Sequence, residues 1–182
     1  MFDFLREEMN EIYRDDQKKL RTNTVLYGHL GEGRWHSTLQ PPLTEEEVQR
    51  FEKVLDQSFH SSYREFLKAY NGCWLFDLLR IAGKDAETYK GLNSEEQVHL
   101  AFNLESMQGL YRKKRTPSDH FIFADSFVKN TYYVIKADEQ VLEIDFRTKK
   151  VIQTFQDFRT FLKEFIREGK KDIEEGTYYE FE

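Results

Sequence analysis

The chain has 182 residues, 39% of them hydrophobic and 33% charged, with sixteen Phe and ten Tyr, which suits one domain with a real apolar core and excludes a disordered chain. Its formal charge of −6 argues against non-specific nucleic-acid binding, which needs a basic surface to release phosphate counterions. Cys73 is the single cysteine, so no internal disulfide can form and a reducing cytoplasm is the expected location. The opening MFDFLREEMNEIY carries acids where a secretory leader would be basic and then apolar, and no run reaches the ~18 apolar residues of a membrane span.

Phe2, Leu5, Met9 and Ile12 fall on one stripe and predict a helix running to about Leu20. Residues 21–43, with GHLGEG at 28–33 and Pro41-Pro42, read as an irregular linker, so 1–40 is expected to be a helix-and-linker extension. The glycines do not make a phosphate loop, because no Gly-Lys-Ser/Thr follows. Thr44 and Glu47 form a capping box ahead of Val48, Phe51 and Leu55. Ser62 and Glu65 predict a second one, ahead of Phe66, Leu67 and Tyr70, and Asn71-Gly72 stops that helix, with a left-handed Gly72. DLLRIAG (77–83) reads as a strand, 84–96 as a loop and 97–102 as a further strand. Asn103 caps a helix carrying Leu104, Met107, Leu110 and Tyr111, which ends on RKKR (112–115), read as a solvated helix end.

Four β-rich runs follow at 120–125, 131–137, 140–146 and 150–155, with gaps short enough for an antiparallel meander. In the third, Leu142, Ile144 and Phe146 alternate with Val141, Glu143 and Asp145, which predicts one buried face and one wet, acidic face. Asp157 caps a last helix with Phe158, Phe161, Leu162, Phe165 and Ile166 on its apolar side, and Gly169 is expected to end it. Residues 170–182 then form an acidic tail with Tyr178, Tyr179 and Phe181.

No chemistry stands out. None of the five histidines sits in a His-Glu-x-x-His pair or at zinc spacing from a cysteine, so no metal and no cofactor is expected. Cys73 follows a helix C-terminus, the wrong end for stabilising a thiolate. Glu143 and Asp145, two apart on one strand, are neighbours, whereas acid–base chemistry needs carboxylates opposed across a cleft.

The stretch LTEEEVQRFEKVLDQSF followed by SYREFLKAYNG resembles the SMI1/KNR4 family of the SUKH superfamily, in which Tyr63, Phe66, Leu67, Asn71 and Gly72 match a Pro-x-x-Tyr-x-x-Phe-Leu…Asn-Gly pattern. NLESMQGLYR, FIFADS, YYVIK, EIDF and FQDFRTFLKEFI then fall in the family's order, so the resemblance covers about residues 41–169. Ser61 and Ser62 stand where relatives often have Pro, Cys73 where a second Gly is common, and SFVKNTYY lacks a glycine many relatives have. The resemblance implies an α+β fold, a mostly antiparallel sheet flanked by helices, and a non-enzymatic role. It implies an immunity protein that binds and neutralises a toxin domain, often a basic nuclease, or else a regulatory or scaffold module that binds a cellular enzyme or signalling protein. On that reading Glu143, Asp145, Asp77 and Asp125 are the expected electrostatic contacts, with Trp74 and Phe76 as aromatic anchors where the chain leaves the Asn-Gly turn.

Overall fold

In the computed structural model, which describes residues 1–178, each strand pairs with the next one in the chain, so a single antiparallel sheet runs in the order β1 to β9. The strands are β1 (Gln17–Lys19), β2 (Val25–Gly31), β3 (Arg34–Leu39), β4 (Cys73–Leu75), β5 (Leu79–Ile81), β6 (Phe121–Ser126), β7 (Thr131–Ile135), β8 (Val141–Asp145) and β9 (Val151–Phe155). The helices are α1 (Asp3–Tyr13), α2 (Glu45–Leu55), α3 (Ser61–Ala69), α4 (Ser94–Val98), α5 (Leu104–Tyr111) and α6 (Phe158–Glu174). This is the expected α+β architecture, an antiparallel sheet with helices against it. Among the described residues no helix is long and apolar enough to cross a membrane.

One face of the sheet carries the core, which is built from rings. Phe158 of α6 meets Phe2, Phe66 and Phe123 with centroids 5.6, 5.2 and 5.0 Å apart, and Phe161 meets Tyr133 at 5.0 Å. Helices α1, α3 and α6 therefore converge on one aromatic cluster. Burying each such side chain contributes about 1.5–3 kcal/mol, enough to hold the fold without a disulfide.

The caps show how local chemistry and tertiary contact divide the work. Thr44 Oγ1 accepts from Glu47 N–H while the Glu47 carboxylate accepts from Thr44 N–H, the capping box expected for α2. Asn103 and Asp157 cap α5 and α6 as expected. The box expected at Ser62 and Glu65 does not form. Helix α3 starts at Ser61, its N-cap is His60, and Glu139 from the β7–β8 turn accepts from Ser61 N–H, Ser62 N–H and both serine hydroxyls. A carboxylate from far along the chain thus serves the positive end of α3. Gly72 has φ +87°, as expected, and a Cβ there would stand 2.8 Å from the Ile81 carbonyl oxygen.

Four expectations are corrected. The first helix ends at Tyr13, and Gln17–Lys19 is a strand. Residues 21–43 are no irregular linker: they hold β2 and β3, and β3 pairs with β4 inside the sheet. Residues 97–102 form no strand, because Asn93 and Glu96 make a capping box that opens α4. Gly169 does not end α6, which continues to Glu174. Of the expected tail, Tyr178 is exposed, and Tyr179 and Phe181 lie outside the described residues.

Gly169 is needed for space. A Cβ there would collide with the Phe76 ring. Phe76 and Asp77 both sit at positive φ, 58° and 52°, which costs on the order of 1–3 kcal/mol per residue. The turn is held by Phe76 N–H donating to Ser37 Oγ at 2.8 Å and Asp77 N–H donating to His36 O at 2.9 Å. Gly169→Ala should destabilise the fold: overpacking costs about 1–3 kcal/mol, against a helix-propensity gain of about 1 kcal/mol. Urea unfolding measures this, and Phe76→Leu should recover part of the loss; an alanine variant as stable as the parent contradicts the packing.

Candidate interaction site

Strand register lines up Thr38, Trp74, Arg80, Asp125, Tyr132 and Ile144 across the opposite face of the sheet. Arg80 is the centre of this row. It lies between Leu79 and Ile81 in a strand buried throughout, where a lone guanidinium would be costly. Asp125 on β6 answers it, accepting from Nε at 3.0 Å and Nη2 at 2.6 Å. The Tyr111 hydroxyl donates to the same carboxylate at 2.6 Å, and burial followed by this bond raises the phenol pKa. The guanidinium carbon Cζ lies 3.6 Å from the Phe102 centroid, 4.6 Å from Phe127 and 5.7 Å from Trp74. Tyr111 stacks on Tyr132 at 4.9 Å. One buried ion pair therefore ties α5, the segment before it and the β6–β7 turn to the sheet.

Clefts open on either side of this knot. One, of 330 Å³, lies between Thr38, Trp74 and Arg80 of the sheet and Val98, Leu100 and Phe102. The other, of 240 Å³, lies between Leu110, Tyr111, Phe127 and Phe146. Trp74, Arg80 and Phe127 pack together between them. From β3 to β8 this strip spans about 24 Å, at ~4.8 Å per strand. Its outer wall is braced by the chain's first strands: Arg21 pairs with Glu96 at 2.6 Å, Lys18 with Glu95 at 2.7 Å, and the Gln40 amide donates to His99 O at 2.7 Å. Large apolar side chains stay open to solvent along it, with Leu110 at 47%, Phe127 at 53% and Phe146 at 38% exposure.

Cys73 is buried, and burial pushes its thiol pKa well up, away from a nucleophilic thiolate. Among the described residues no group of three or more His, Cys, Asp or Glu is placed to hold a metal ion.

The expected site residues scatter. Trp74 is half-buried and lines the strip. Phe76 is fully buried against α6 and offers a partner no surface. Asp125 is the buried partner of Arg80. Glu143 is buried too, accepting from the Thr131 and Tyr133 hydroxyls at 3.1 and 3.0 Å. Asp145 caps its own turn, accepting from Thr148 N–H at 2.6 Å and Arg147 N–H at 3.0 Å, and these bonds lower its pKa. The wet acidic face of β8 is thus corrected. Both faces of that strand are covered, because α6 packs on Tyr133 beside Glu143 while Tyr111 packs on Tyr132 beside Ile144. Arg80, Phe102, Tyr111 and Phe127 were not anticipated. Their one advance signal is an arginine inside an apolar strand.

Among the described residues the chain is a nine-strand antiparallel sheet with one helical core face and one braced, cleft-bearing face. The SMI1/KNR4 family (SUKH-1) model matches residues 42–164, and the chain belongs to that family. Membership supports a role of the immunity-protein or interaction-module kind. No curated protein gives a significant match to the chain.

Asp77 is buried beside Arg34, whose Nη2 lies 3.3 Å away, and burial outweighs the cation, raising the carboxyl to about 6. The folded chain then holds this proton more tightly than the unfolded one, so its contribution to stability falls as pH rises from about 4 to about 6. His36, lowered to about 4 by burial, acts in the opposite sense over much of that window. In Asp77→Asn only the His36 effect remains of the two, so the urea midpoint should climb more steeply from pH 4 to 6 than in the parent. An equal or shallower slope contradicts the assignment.

Proposed function

We propose that the chain is a cytoplasmic immunity protein that binds a toxin domain and neutralises it by direct contact, through the cleft-bearing face of the sheet. The observation that carries this reading is the strip itself. Two clefts flank a floor fixed by the Arg80–Asp125 pair, with Trp74 and Phe127 half-open along it. A floor already rigid before binding lowers the ordering cost of association, and aromatic side chains that finish their burial on docking are the usual hot spots. This keeps the toxin as partner and moves the contact from an acidic face to an aromatic cleft. Trp74 stays in the site, and Asp125 supports it from beneath through Arg80.

The test is co-expression with the toxin encoded beside the chain. The parent should rescue growth and co-purify with the toxin. Trp74→Ala together with Phe127→Ala should weaken the complex by at least about 2 kcal/mol, roughly thirtyfold. Failure of the parent to protect cells would remove the immunity role, and undiminished binding by the double variant would remove this face.

A further inference from the structure

The cleft between α5 and the β8–β9 turn has a charge that the chain as a whole does not. In a molecule of formal charge −6, Arg112, Lys113, Lys114 and Arg115 leave the end of α5 while Arg147, Lys149 and Lys150 form the facing turn. The two groups are close: the Lys149 ammonium lies 5.0 Å from the Tyr132 centroid, and Tyr132 stacks at 4.9 Å on Tyr111 at the end of α5, so that Lys113 adds to the desolvation that lowers the Lys149 pKa. Among the described residues none of the seven makes an ion pair. Asp125 is engaged by Arg80, and Asp145, bonded within its own turn, attracts Arg147 and Lys149 without forming an ion pair with either. Between the cations lies the apolar cleft of Leu110, Tyr111, Phe127 and Phe146, with Ser126, Asn130 and Thr131 as its polar margin.

We propose that this cleft receives an acidic segment of the protein partner, anchored by one apolar side chain between Phe127 and Phe146, with the flanking carboxylates on Lys113 and Lys149. The proposal rests on the reading above that the partner docks on this face, and adds the chemistry of the segment that does so. An anion between Lys113 and Lys149 relieves their mutual repulsion while the cleft takes up the apolar group, so charge and shape ask for the same ligand. A nucleic acid fits less well. Stacking of bases needs an open ring face, and the Lys149 ammonium already lies 4.4 Å from the Phe146 centroid and 5.0 Å from Tyr132. A cavity of 240 Å³ suits one or two apolar side chains.

Fluorescence anisotropy of the full chain tests this with labelled short peptides. One alternates Glu and Ser around a central Leu; the controls replace that Leu by Ser, or the Glu by Lys. A single-stranded oligothymidine serves as the nucleic-acid competitor. The acidic Leu peptide should bind best, and more weakly as salt rises. Its affinity should drop about tenfold or more without the Leu, and likewise in Lys113→Glu/Lys149→Glu, whose surface changes leave the melting temperature near the parent's. Equal binding of the acidic and basic peptides, tighter binding of oligothymidine, or no effect of charge reversal would each overturn the proposal. Toxin rescue is scored separately. Peptide binding without rescue sinks the immunity role and keeps this cleft; rescue that survives charge reversal does the opposite.

Discussion

The second face of the sheet depends on one buried ion pair. Arg80 and Asp125 stand opposite each other on β5 and β6, with side-chain exposures of 10% and 0%. Neither is tolerable there alone: an unpaired buried charge costs several kcal/mol, whereas a pair with good geometry roughly recovers its desolvation. The pair's value is therefore geometric more than energetic. Through Asp125 it holds Tyr111 and the end of α5; through the guanidinium it holds Phe102, Phe127 and Trp74. Without it three loops that reach the sheet from different places would have no shared anchor.

The rest of the molecule makes that anchor possible. Helices α1, α3 and α6 close the other face with interlocking rings, which leaves the Arg80 face free of helical cover along the Trp74 to Phe127 strip. The strands that precede the family match contribute directly. Thr38 and Gln40 line the larger cleft, and Lys18 and Arg21 hold the helix that walls it. The tight turn at Phe76, pressed on Gly169, fixes where β4 ends and so where Trp74 emerges. Sequence, packing and surface thus form one chain of dependence, from a glycine in a helix to an indole in a cleft.

Much of the scaffold could be read from residue order because its causes are local. Thr44 with Glu47, Asn103, Asp157 and the closely spaced β6–β9 runs all act within a few residues of themselves. What escaped reading depends on distant partners. The cap of α3 comes from Glu139, 77 positions from Ser62. The glycines at 28, 31 and 33 looked like part of an irregular linker, yet Gly28 sits inside β2 at φ +68° with the Tyr13 ring against its missing Cβ. Glu143 looked solvent-facing because alternation alone cannot show that both faces of β8 are covered. The Asn93–Glu96 box was legible and was masked by the alternation of Val98, Leu100 and Phe102. Of the site, Trp74 was visible as an aromatic beside a turn. The knot beneath it was not, because it joins residues 45 apart through strand register.

Native-state hydrogen exchange on Arg80→Met/Asp125→Leu tests the central claim most directly, since replacing both charges by apolar side chains avoids the penalty of leaving one buried. The account predicts a folded protein in which amides of α5 and of the β6–β7 turn exchange markedly faster, while those of α3 and α6 in the aromatic core keep the parent's rates. Unchanged protection over residues 102–128 would contradict it, because the cleft-bearing face would then be held by something other than this pair.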